Sequence, residues 1–221
     1  MAVLFFAMKY KHIVWDWNGT IIDDVALSVG IFNLMCDACG LGRTTVERYR
    51  REFKIPVVDF YRDYGFDFDR LDFRAISEFY IKEYDARRFS CSLHDGAREA
   101  MASFKSAGIS QSVLSAYESS SLRSALEHFG LCGYLENVCG LDNILAGSKT
   151  TLAKELAGRI RAEPDEILMV GDTLHDMDSA NAMGADCVFI SKGHTDAERL
   201  RGSGARVFAS HGEFADFVLN S

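Results

Sequence analysis

The sequence predicts an α/β protein: a Rossmann-like, doubly wound parallel sheet with an all-helical block inserted after its first strand. Three observations point there. Short apolar, β-prone runs recur at 13–15, 109–114, 167–170 and 187–190. From residue 95 onward, helical patterns alternate with such runs, which implies a parallel sheet covered on both faces. Between residues 24 and 90 there is no convincing strand, only successive helical patterns. The expected core is therefore residues 1–22 and 91–221, with 23–90 as an insert over the carboxyl edge of the sheet.

Taken in order, Ile13-Val14-Trp15 reads as a buried strand, and Asn18-Gly19 as the turn after it. Asp16 then stands at a strand's carboxyl end, where open α/β sheets bind ligands. Val25 to Cys39 reads as a helix stopped by Gly40. Thr44 or Thr45 caps a second, running to about Phe53; Ile55-Pro56 starts a third, ending at Gly65; Asp69 to Arg87 forms a fourth. Helix 95–107, strand 109–114, helix 118–129 and a weaker strand at 134–138 follow. Helix 149–160, strand 167–170, helix 176–183 and strand 187–190 come next. A helix near 197–201, a strand at 206–208 and a helix from Gly212 end the chain.

With 221 residues, nearly half of them apolar, the chain can build a sizeable core. A net charge of −8 argues against a broad attraction to nucleic acid or to an anionic membrane. The six cysteines lie scattered in apolar contexts, as expected of reduced thiols in the cytoplasm. Cys36 and Cys39 have CxxC spacing, but no second pair completes a zinc site. The apolar start, residues 1–7, is too short to span a membrane and reads as an extension before Met8. A monomer and a small homo-oligomer are both compatible with this composition.

Chemistry concentrates at four strand ends: Asp16 with Asn18, Ser115, Lys149 at a helix start, and Asp172 with Asp176. In a parallel sheet these ends share one edge. Two acidic sites meeting there repel unless a cation joins them. Mg²⁺ suits the task, because it is content with one or two carboxylates plus phosphate and water. Ser115 offers a hydroxyl and Lys149 a positive charge for phosphate oxygens.

These residues resemble the motifs of the haloacid dehalogenase superfamily, on its phosphatase side and most like phosphoglycolate-phosphatase-type members. Asp16-Trp17-Asn18-Gly19-Thr20 is similar to the family's Asp-x-Asp-Gly-Thr; Ser115 and Lys149 match the second and third motifs; Gly171-Asp172-Thr173-Leu174-His175-Asp176 matches Gly-Asp-x-x-x-Asp. The helical insert occupies the position of the family's cap. The resemblance implies that Asp16 is a nucleophile forming an aspartyl phosphate. It implies Mg²⁺ held by Asp16, the Asn18 carbonyl, Asp172 and Asp176. Gly19, Thr20, Ser115 and Lys149 would then bind a small phosphorylated substrate, and the cap would select it. Of the cap cations Arg43, Arg48, Arg50, Arg51 and Lys54, Lys54 is the best candidate for substrate contact, and most of the others are expected on solvated faces. Tyr49, Phe53, Phe60 and Tyr61 are expected to be cap core.

The sequence departs from the family at Asn18, where the acid–base carboxylate should stand. An amide donates a hydrogen bond but does not exchange a proton at neutral pH. Four expectations follow: a slow phosphatase, a preference for acyl or aryl phosphates, a substitute acid such as His175, Asp23 or a cap residue, or a catalytically weakened binding or regulatory protein. On the sequence alone, Asn18→Asp is expected to raise turnover on alkyl phosphates. Asp16→Asn is expected to abolish phosphate release under each of the three catalytic options, as a phosphate-release assay would check.

Overall fold

In a computed structural model, which describes residues 8–141 and 149–221, eight strands are present: β1 (His12–Trp15), β2 (Ile22–Asp23), β3 (Ser92–Leu93), β4 (Ser110–Glu118), β5 (Asn137–Leu141), β6 (Ile167–Gly171), β7 (Asp186–Ile190) and β8 (Arg206–Phe208). Six of them form one parallel sheet in the order β5-β4-β1-β6-β7-β8. β1 is central, with β4 on one side and β6 on the other, so the chain reverses direction across the sheet at β1. That reversal is where an open sheet leaves a crevice. The expected α/β class and parallel sheet are observed.

Both faces of the sheet are covered, and the period of two explains how. Ile13 and Trp15 join one apolar cluster with Val113, Leu168 and Val170, whereas Val14 joins the other with Leu114, Ile167 and Met169. Helices α5 (Ala97–Ser106), α6 (Ser119–His128), α7 (Lys149–Ala157), α8 (Leu174–Met183), α9 (Ala197–Arg201) and α10 (His211–Leu219) accompany the later strands. The indole of Trp15 is fully buried, and its Nε1 donates to Gln111 Oε1 at 3.0 Å.

Between β2 and β3 come α1 (Val25–Ala38), α2 (Val46–Glu52), α3 (Val57–Tyr64) and α4 (Phe73–Arg87). β2 and β3 pair as an antiparallel ribbon, Ile22 opposite Leu93, which brings the two ends of the helical segment together. Neither strand is expected from the sequence, because two-residue strands carry no periodicity. Phe32 of α1 is the centre of an aromatic cluster, with ring centroids of Tyr49, Phe60, Tyr61, Tyr64 and Phe66 at 4.8–6.4 Å. Tyr49, Phe60 and Tyr61 are buried there, and Phe53 packs at its edge.

Several boundaries move. The fourth helix starts at Phe73 rather than Asp69, because the Asp72 carboxylate caps it by accepting from Arg74 N. The strand expected to stop at Leu114 runs on to Glu118 through a register shift, and Glu118 caps α6. The strand expected at 134–138 lies at Asn137–Leu141, since 132–134 close a tight 3₁₀ turn. α7 stops at Ala157, before the expected Ile160. Residues 1–7, read as an extension, lie outside the described residues. No helix among the described residues is long and apolar enough to cross a membrane.

Phe32→Ala would leave a void among five aromatic rings. A loss of about 3–5 kcal/mol in unfolding free energy is expected, measurable by denaturant titration.

Candidate active site

The register of β1 with β6 builds the site. Trp15 pairs with Val170, and Asp16 N donates to Val170 O at 2.9 Å, so Asp16 and Asp172 leave the sheet side by side. Asp176 is placed by helix capping: Thr173 is the N-cap of α8, and Asp176 Oδ2 accepts from Thr173 N at 3.0 Å and Thr173 Oγ1 at 2.9 Å. The Asp172 carboxylate is held by Thr20 Oγ1 at 3.1 Å and by His194 N at 2.6 Å. Oxygens of Asp16, Asp172 and Asp176 lie within 4.8 Å of one another, all buried.

Lys149, the first described residue of α7, is buried and donates to Asp16 Oδ1 and Asp176 Oδ1, each at 2.5 Å. Lys154, the other lysine of this helix, is exposed. Asp16 Oδ1 accepts from Lys149, and Asp16 Oδ2 makes no hydrogen bond among the described residues. Three carboxylates against one ammonium leave two excess negative charges in a dry place. Burial, reinforced by Asp176 and Asp172, raises the Asp16 pKa well above the ordinary carboxylate range. Asp172 is raised to about 6 by burial and by Asp176, although His194 opposes this. Burial works to lower the Lys149 pKa, but Asp16 and Asp176 outweigh it and hold the ammonium charged. A hard divalent cation fits this donor set: clustered carboxylate oxygens, close spacing and a matching charge deficit.

Three glycines let the carboxylates approach. A β-carbon on Gly193 would overlap the Asp172 carboxylate, one on Gly171 would overlap Asp176, and Gly19 (φ +71°) leaves no room beside Asp172 and His194.

The remaining expected residues fall in three groups. Gly19 and Thr20 lie in the Asp16 loop, where the Thr20 hydroxyl is engaged with Asp172. Ser115 is buried on β4, two residues beyond Val113, which pairs with Trp15; its Oγ accepts from Tyr117 N at 3.1 Å. Lys54 pairs with Asp63 and, with His175, lines a cavity of about 120 Å³ between Phe53–Ile55 and the start of α8. Asp23 is exposed and faces His94. Arg43, Arg48 and Arg51 are exposed, as expected of solvated faces. Arg50 departs from that pattern. Its Nε donates to Gly193 O at 2.8 Å and its Nη2 to Lys192 O at 2.5 Å, while Arg199 Nη1 donates to Arg50 O at 3.0 Å and Phe53 O at 2.7 Å. These bonds fasten the end of α2 to the loop after β7 and to α9.

Sequence reasoning missed Asp24, His194, Tyr49 and Tyr84. Asp24 is buried at the head of α1, and its Oδ1 accepts from Gly19 N at 2.9 Å and from His194 Nε2 at 3.2 Å. His194 Nδ1 lies 3.1 Å from the Tyr49 hydroxyl. Burial works to lower the His194 pKa, but Asp24 and then Asp172 raise it to about 9. Burial works to raise Asp24, yet His194, Asn18 and Tyr84 hold it below the usual range. One signal was available: Gly193-His194 follows the apolar strand 187–190 and so emerges at the same sheet edge.

The family model of the haloacid dehalogenase-like hydrolases matches residues 13–190. The chain belongs to that family. Among curated relatives, the tyrosine-protein kinase PtkA of Mycobacterium tuberculosis is 31% identical over 121 residues, covering 54% of this chain and 42% of PtkA. The chain thus spans less than half the length of that relative. A 5'-nucleotidase of Pseudomonas aeruginosa is 22% identical over 199 residues, covering 88% of this chain and 89% of its own. A predicted phosphoglycolate phosphatase of Haemophilus somnus 129PT shares the fold, with a TM-score of 0.73 and 16% identity over 95% of this chain and 98% of its own.

In this haloacid dehalogenase-like site, Gly193→Ala should push the Asp172 carboxylate out of place. A cost of about 1–3 kcal/mol, read as a lower melting temperature by calorimetry, is expected.

Proposed function

We propose that the protein is a Mg²⁺-dependent phosphatase that hydrolyses a small phosphomonoester through an aspartyl phosphate on Asp16. One observation carries the reading: Asp16, bonded through one oxygen to Lys149, lies within a buried cluster of three carboxylates. The family membership and the phosphatase relatives support a phosphoric monoester hydrolase.

In this reading Asp16 Oδ2 attacks phosphorus as the bond to the leaving oxygen breaks, and water then attacks phosphorus to release phosphate and regenerate the carboxylate. Asp16, Asp172, Asp176 and the Asn18 carbonyl would hold Mg²⁺, which would supply charge neutralisation for the phosphoryl oxygens. Lys149 holds Asp16 Oδ1 so that the other oxygen points to substrate, and it binds phosphoryl oxygen together with Ser115 and the Gly19–Thr20 loop. Residues 23–90 form the cap. The bonds from Arg50 and Arg199 hold it against the core. The leaving group sits toward the cavity of about 120 Å³ near Lys54 and His175, which suits a small substrate.

Asn18 gives no proton to the leaving oxygen, and general acid–base catalysis typically supplies about 10²–10⁴-fold. Substrates whose leaving group needs no proton, such as acyl and aryl phosphates, are therefore favoured over alkyl phosphates. The unpaired cysteines agree with a reducing, cytoplasmic setting.

A panel of alkyl, aryl and acyl phosphates, assayed for phosphate release with Mg²⁺ and with a chelator, tests the reading. Release that needs Mg²⁺ and is fastest for acyl and aryl phosphates is expected. No release from any member would leave a binding or regulatory protein on a phosphatase fold. Phosphate moved from ATP to a tyrosine peptide instead would make it a phosphotransferase, the activity for which PtkA is named.

A further inference from the structure

Asn18 is half-buried at the position where the acid–base carboxylate was expected, and both donors of its amide nitrogen are engaged. Nδ2 donates to Asp24 Oδ2 at 2.7 Å and to the Tyr84 hydroxyl at 2.7 Å. The Tyr84 hydroxyl in turn donates to Asp24 Oδ2 at 2.7 Å. A carboxylate only accepts, so the amide nitrogen, not its oxygen, must face Asp24. The other Asp24 oxygen accepts from Gly19 N and His194 Nε2, and His194 continues to the Tyr49 hydroxyl. Asp24 is therefore a saturated, buried acceptor. It touches the Asp16 loop through Asn18 and Gly19, the loop after β7 through His194, and α4 through Tyr84. His194 adds α2 through Tyr49.

This arrangement explains the departure at residue 18. A carboxylate there would face a second carboxylate at hydrogen-bond distance, with a donor lost between them. An amide of the same shape supplies the donor that Asp24 needs. We propose that Asn18 is a positioning residue: it ties helix α4 to the Asp16 loop through Asp24 and Tyr84, and so sets the seat of the cap over the nucleophile. The proposal rests on the phosphatase reading only for the word nucleophile; the tie itself is structural. Residues 18 and 24 then form a complementary pair, and the family's carboxylate is incompatible with Asp24 rather than simply missing. The sequence-based expectation for Asn18→Asp accordingly reverses, because the single change breaks the tie. A gain in turnover is to be sought only where the pair is exchanged, in Asn18→Asp combined with Asp24→Asn.

The test compares wild type, Asn18→Asp, Tyr84→Phe and the exchanged double variant by hydrogen exchange of the 73–87 amides and by steady-state kinetics on one aryl phosphate. Losing a hydrogen bond to a buried carboxylate is expected to speed exchange in α4 by about tenfold or more in Asn18→Asp, and less in Tyr84→Phe. KM should rise in both single variants, and the double variant should recover exchange protection and KM together. Unchanged exchange in Asn18→Asp, or a double variant no better protected than the single, would overturn the tie. Tyr84→Phe keeps the test open if Asn18→Asp does not fold: it should also speed α4 exchange, and no change there counts against the proposal. Failure of the phosphatase reading shows separately, as wild type that releases no phosphate while the exchange pattern holds.

Discussion

Everything at the sheet edge depends on three carboxylates being held within reach of one ammonium. Asp16, Asp172 and Asp176 are each anchored by a different device: a strand register, a pair of hydrogen bonds from Thr20 and His194, and a helix cap. None of these anchors uses the charge of the other carboxylates. Lys149 offsets part of the repulsion, and the charge deficit that remains is one a divalent cation would fit. Burial makes that remainder matter, because like charges in a dry site interact far more strongly than in water.

The same edge carries a second buried ion pair, Asp24 with His194, and the two systems share elements without sharing roles. His194 reaches Asp172 with its main chain and Asp24 with its side chain. Its backbone thus serves the cluster that gathers negative charge, while its imidazole serves the network that joins helical segment to sheet. Gly193 allows this double use, since a side chain there would collide with Asp172. A buried polar network of this kind contributes specificity of arrangement when every donor finds its acceptor, and it tolerates single changes poorly.

The helical segment is held at several points, each made differently. Arg50 and Arg199 bind main-chain carbonyls across the boundary, a contact that any residue at the accepting positions would keep. Asp24, Asn18 and Tyr84 bind one another through side chains, a contact specific to these residues. Between these ties, Phe32 and its ring of aromatic neighbours pack α1, α2 and α3 together.

By itself the sequence determined the sheet and which polar residues stand at its strand ends. Apolar runs of β-prone residues followed by Asp16, Ser115 or Gly171-Asp172 are local signals, and a parallel sheet puts all such ends on one edge. Lys149 was expected at this edge as a cation near a helix start; it contacts Asp16 and Asp176, and Lys154 is exposed. Only the tertiary structure decided the meaning of Asn18. Its partner Tyr84 is 66 residues away, and Asp24 meets His194 across 170 residues. No periodicity or local spacing encodes such meetings, because they arise from how helices pack onto a sheet rather than from how a segment folds. The two-residue ribbon of β2 and β3 was hidden for the same reason: its strands exist only because the two ends of a long insertion come back side by side.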